Sequence, residues 1–112
     1  MTATLILRFG LGLVLLIFGF DQLRSYRPWV AYVPRWLRWV ELPTERMFWR
    51  SHAMLNILLA VALFYGAYLQ WISLLVTVWL GTITLVTFFS DWQTSVRDFG
   101  LTAAALALWL LV

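Results

Sequence analysis

Residues 51–90 contain no Asp, Glu, Lys or Arg, a run of forty positions. As one helix rising about 1.5 Å per residue it would measure roughly 60 Å, whereas the hydrocarbon core of a bilayer is about 30 Å thick and takes about 20 residues. The run therefore reads as two membrane crossings folded back on each other, and the interface-seeking Tyr68, Gln70 and Trp71 mark the fold-back. The rest of the composition agrees: 12% of residues are charged and 63% hydrophobic, against about 25% charged in soluble domains. A chain of 112 residues has room for one such domain.

Four spans follow, at about residues 5–23, 46–69, 71–89 and 96–112. No basic segment precedes the first and no small-residue cleavage site follows it, so it reads as a transmembrane helix and not as a signal peptide. Ser95 and Asp98, three apart, have the spacing of a capping box that would open the fourth span. The connection at residues 24–50 differs in composition, holding six of the eight Arg, all three Pro and four of the eight Trp. Within 34–42, at about 100° per residue, Trp36, Leu37, Trp39 and Val40 fall on one side and Arg35, Arg38 and Glu41 on the other. That division predicts a helix lying in the interface, with Trp36 and Trp39 at headgroup level and Arg35 and Arg38 reaching lipid phosphates. The predicted fold class is an all-α integral membrane protein: a four-transmembrane-helix bundle, one domain over 1–112, with an interfacial amphipathic helix between helices 1 and 2.

The net charge of +3 fits a membrane surface and not nucleic acid, because the Arg residues flank apolar spans. The excess of Arg in the first connection puts that loop in the cytoplasm and both termini outside. The absence of cysteine excludes disulfides, thiolate metal sites and sulfur chemistry carried by this chain. Gly12 and Gly19 share one face of the first span, and Gly100, Ala103, Ala104 and Ala107 line one face of the fourth. Close backbone approach through such stripes predicts that these two faces touch.

Charges inside or beside the spans are costly, at least about 2.5 kcal/mol in hydrocarbon, and each needs an account. Arg8 either snorkels to the near interface or neutralises a carboxylate or anionic substrate. Asp21 and Arg24 have ion-pair spacing. Arg97 and Asp98 read as anchor and cap, with a cross-bundle pair from Arg97 to Asp21 as the alternative. The strongest candidate for chemistry is the stripe Glu45, Trp49, His52, Asn56, spaced four, three and four on one helix face. Trp49, His52 and Asn56 would give a quinone carbonyl its hydrogen-bond donors and aromatic walls. The plain alternative bonds His52 to a backbone carbonyl or to Asp91, and makes Asn56 an interhelical hydrogen bond. No metal site is predicted: zinc and copper lack ligands, and a single His offers a haem no second axial partner.

The segment from Leu7-Arg8-Phe9-Gly10-Leu11-Gly12 to Gly19-Phe20-Asp21-Gln22-Leu23, together with Val96-Arg97-Asp98-Phe99-Gly100, resembles the opening and closing helices of DoxX-type (DoxX/DoxD-like) membrane proteins. The sequence departs from that pattern where Gln22 stands for a Lys, Asn56 for a Glu and Phe18 for a His. The resemblance implies a compact four-helix bundle and association with redox systems, relatives including a subunit of a thiosulfate:quinone oxidoreductase. The reading that follows is a non-catalytic accessory subunit of a larger membrane redox or electron-transfer complex, lining a quinone or lipid path. It expects lipids and other membrane subunits as partners, no covalently bound cofactor, a quinone as ligand, and a prokaryotic inner membrane as location. The alternatives are a quinone-reducing subunit like the thiosulfate-oxidising relatives, and a small transporter or lipid-handling protein.

Overall fold

A computed structural model describes residues 2–30, 33, 34, 36 and 45–112, with no account of the Arg27 and Glu45 side chains. The elements are α1 (Thr2–Arg24), a single turn α2 (Arg27–Val30), α3 (Glu45–Tyr65), α4 (Leu69–Phe88) and α5 (Trp92–Leu111). All the regular structure among the described residues is helical. Helices α1, α3, α4 and α5 are long and apolar enough to cross a membrane, and the 42 Å long axis matches the roughly 40–45 Å of a bilayer with its headgroups. The chain is a multi-pass, all-α membrane bundle. Of the interfacial segment, only Pro34 and Trp36 are described: Pro34 is buried, and Trp36 is exposed with its ring edge-on to Phe89 at 5.7 Å. Arg35, Arg38 and Trp39 lie outside the described residues.

Helix ends follow local chemistry more closely than the hydropathy pattern does. Helix α3 stops at Tyr65 because Gly66 turns left-handed, φ +82°, and its amide still bonds Ala62 O at 3.0 Å, the form of a glycine C-terminal stop. Tyr68, also left-handed at φ 52°, then starts α4. The Arg8 guanidinium reaches across from α1 and donates to Leu63 O (3.0 Å) and Phe64 O (3.1 Å). Among the described residues it meets no carboxylate and instead satisfies the last carbonyls of α3, which lack intrahelical partners. At the other end, α5 begins four residues before the predicted span, because Asp91 and not Ser95 is the cap: its carboxylate accepts from Gln93 N (3.2 Å) and Thr94 N (3.4 Å). Ser95, already helical, donates to Thr84 O of α4 at 2.8 Å.

The four long helices pack as two close pairs, α1 with α3 and α4 with α5, which meet each other more sparsely. The glycine stripe of α1 makes the first pair. A methyl group added at Gly12 would meet the Phe64 ring at 2.6 Å, and one at Gly19 would meet Ile57 at 2.6 Å and the Ala53 carbonyl at 2.9 Å. The expected partner of that stripe was the last helix; the partner is α3. Gly100 has open space around it, and Ala103 and Ala107 are exposed. Helix α5 instead turns Ser95, Asp98, Ala105 and Leu108 inward. In the second pair, Thr84 and Thr102 hydroxyls meet at 3.2 Å. Most other hydroxyls of α4, such as Ser73 and Thr77, bond the carbonyl four residues back, which satisfies them without water. The apolar core, with Leu11, Leu15, Leu63, Val76, Leu80 and Leu108 at its centre, ties the pairs together toward the Arg8 end.

Candidate functional site

Toward the opposite end the two pairs diverge around a cavity of about 410 Å³, within the range of small-molecule sites. Its walls are apolar and aromatic: Leu15 and Phe18 of α1, Trp29 and Val33 of the connection, Phe48 and Trp49 of α3, and Trp79 and Ile83 of α4. Between α3 and α4 it is bordered by Ser51, Leu55 and Thr82, all exposed on the bundle surface.

The stripe of α3 faces the cavity, because positions 49, 52 and 56 share one helical face. Trp49 is 4% exposed and Asn56 1% exposed, and both, with His52, line it; the Glu45 side chain is not among those described. His52 and Asn56 belong to a chain of hydrogen bonds across the helix pairs. Trp79 Nε1 donates to Asn56 Oδ1 (2.7 Å), Asn56 Nδ2 donates to Gln22 Oε1 (3.0 Å), and His52 Nδ1 lies 3.0 Å from the same Gln22 oxygen. An indole N–H can only donate, so it fixes which end of the Asn56 amide is oxygen, and that in turn fixes Gln22. Gln22 Oε1 can only accept. A neutral His52 therefore carries its proton on Nδ1 and leaves the Nε2 lone pair without a hydrogen-bond partner among the described residues. The 3.4 Å approach of Asn56 Nδ2 to His52 Nδ1 is then a contact between two donors and not a bond. The ring of His52 also lies 4.7 Å from Trp79 and 5.3 Å from Trp49.

Across the cavity, Asp98 is 1% exposed, and its Oδ1 accepts from Arg97 Nε (3.2 Å) and Nη2 (3.0 Å). The Arg97 guanidinium lies 4.9 Å over the Phe18 ring. Arg97 thus goes to its neighbour and to an aromatic face of α1, and not to Asp21. Asp21 accepts from Arg24 (3.4 Å) and more closely from the Trp29 indole (2.7 Å), which holds Trp29 against the end of α1. Two buried polar atoms have no hydrogen-bond partner among the described residues, Trp49 Nε1 and Asp98 Oδ2. Both belong to residues that line the cavity. One is a donor and the other an acceptor.

The sequence singled out Trp49, His52, Asn56, Arg97 and Asp98, and the fold gathers all five around one space; Arg8, Asp21 and Arg24 lie apart from it. Gln22, Trp79 and Trp29 were missed as members. Two had a signal: Gln22 is an amide within an apolar helix, and Trp79 is an indole placed mid-span, away from the interface where Trp gathers. Phe18, Gln22 and Asn56 also meet here, and the two amides bond each other. Among the described residues no group of three or more His, Cys, Asp or Glu is placed to hold a metal ion. Compared with known families, the chain matches the family model described as DoxX over residues 3–89. No curated protein and no solved structure matches it.

Proposed function

We propose that the chain, which belongs to the DoxX family, is a non-catalytic, ligand-binding subunit of a membrane redox or electron-transfer assembly, and that its cavity takes a quinone-type ring from the bilayer. The observation that carries this reading is the meeting of Trp49, His52 and Asn56 on one aromatic-walled space of about 410 Å³. Such a space is large enough for a substituted six-membered ring and part of its tail. The border between α3 and α4 is exposed where acyl chains lie, so the ligand arrives dissolved in lipid and needs no aqueous route. With no cysteine in the chain, thiol or sulfur chemistry comes from a neighbouring subunit. The Arg-rich connection lies on the cytoplasmic side of a prokaryotic inner membrane, by the positive-inside rule.

A photoreactive quinone analogue, added to the protein in nanodiscs, tests the reading. Label is expected on peptides of α3 and α4, saturable and displaced by unlabelled short-chain quinone or quinol, and reduced several-fold by His52→Ala with the protein still inserted. Unsaturable label spread over the lipid-facing side chains of all four helices would refute the binding role. A gentle-detergent native mass spectrum from the protein's own membrane tests the other half: a defined assembly with other chains supports the accessory role, and a lone monomer refutes it.

A further inference from the structure

Resting on that reading, we infer that Trp79 is a specificity-determining residue: by fixing the Asn56 and Gln22 amides it makes His52 Nε2 an acceptor, so the ligand is held at that nitrogen through a group that donates, the hydroxyl of a quinol. Trp49 Nε1 and Asp98 Oδ2 are closed even to water and take no part. Of the hydrogen-bond chain, Gln22 and Asn56 are 2% and 1% exposed, whereas His52 is less deeply buried and lines the cavity. Its Nδ1 edge is turned to Gln22. Its Nε2, without a hydrogen-bond partner among the described residues, is not closed off as those two atoms are. The ring lies among Phe48, Trp49 and Trp79, each a wall of the cavity. With both amides reversed, Gln22 would offer its N–H to Nδ1, the proton would sit on Nε2, and that atom would donate to a quinone carbonyl instead. The Trp79 indole forbids the reversal, because its nitrogen cannot accept. A quinone carbonyl at Nε2 therefore sets two acceptors against each other, and a quinol hydroxyl makes a hydrogen bond there.

The full chain, carrying nitrogen-15 in its single histidine, is titrated in nanodiscs with butylhydroquinone kept reduced by ascorbate and, separately, with butylbenzoquinone, empty nanodiscs correcting for partition. The quinol is expected to bind about fivefold or more tightly, the value of one neutral hydrogen bond. It should also move the Nε2 resonance to lower frequency as that lone pair accepts, with Nδ1 still protonated. Trp79→Phe keeps an aromatic wall and frees the amides to reverse, so the two affinities should come within about twofold of each other and an Nε2–H signal should appear in the quinone complex. Saturable quinol binding with an unmoved Nε2 resonance, equal affinities in the wild type, or a wild-type affinity ratio in Trp79→Phe each overturn this inference and leave the ligand-binding role standing. No saturable binding of either probe overturns both. Should Trp79→Phe fail to insert, Gln22→Met decides: with the Gln22 oxygen gone, Asn56 Nδ2, 3.4 Å from His52 Nδ1, becomes the donor to it, the proton moves to Nε2, and the preference should reverse toward the quinone. A quinol preference as large as that of the wild type would overturn the control assigned to the chain.

Discussion

The proton on His52 is fixed by a tryptophan on another helix, and that dependence can be measured. His52 is the single histidine of the chain, so protein labelled with nitrogen-15 histidine reports one imidazole. Moving the proton from Nδ1 to Nε2 would exchange the 3.0 Å bond to Gln22 Oε1 for two lone pairs facing each other. The loss is about 1–3 kcal/mol, and at about 1.4 kcal/mol per tenfold the Nδ1–H form should dominate by about ten to one or more. Trp79→Phe removes the one group that cannot reverse its role. Both amides are then free to flip together, and the two tautomers should become comparable in population, at a stability cost of about 1 kcal/mol for the lost 2.7 Å bond. Nitrogen chemical shifts of the ring read both results. A wild-type spectrum dominated by Nε2–H, or a Trp79→Phe spectrum still showing only Nδ1–H, would refute the polarised chain and the free Nε2 acceptor with it.

Other expectations concern the frame around the site. Gly19→Ala forces a methyl group onto the Ala53 carbonyl and Ile57 and should cost about 1–3 kcal/mol, whereas Gly100→Ala, with open space around it, should raise stability by up to about 1 kcal/mol through helix propensity; thermal melts in one detergent check the pair. Arg8→Met strips two guanidinium bonds from the end of α3 and should lower stability by about 2–3 kcal/mol, with early amide exchange at residues 63–66 as its mark. Asp91→Ala removes the cap of α5 and should cost about 1 kcal/mol, loosening the first turn of that helix in the same exchange experiment.

How much was legible in the sequence depended on whether a residue's role was set by its own helix or by another. Trp49, His52 and Asn56 could be read together because three- and four-residue spacings fix a shared face without reference to any neighbour. Where a helix stops is also local, yet Asp91 was passed over in favour of Ser95, because two nearby residues both had capping chemistry and only the backbone path separated them. The roles of Arg8 and Gln22 could not be read. Each is a polar side chain in an apolar stretch, and its partners lie thirty or more residues away, Leu63 and Phe64 for one and His52 and Asn56 for the other. The glycine stripe of α1 announced a close approach but not to which helix. A bare backbone face accepts any complementary surface, and α3, with Ala53, Ile57 and Phe64 at the right heights, supplied it.

By itself the sequence determined the solvent and the number of crossings, since forty uncharged positions cannot be accommodated in water or in a single passage through lipid. It determined too that the few polar groups would be costly enough to need partners. Which partners they found was decided by the tertiary structure. In hydrocarbon, apolar surface gains little by choosing one helix over another, so pairing was settled by shape at the glycines and by hydrogen bonds that no single helix can complete. The same division into two pairs opened the cavity beside His52 and Asn56.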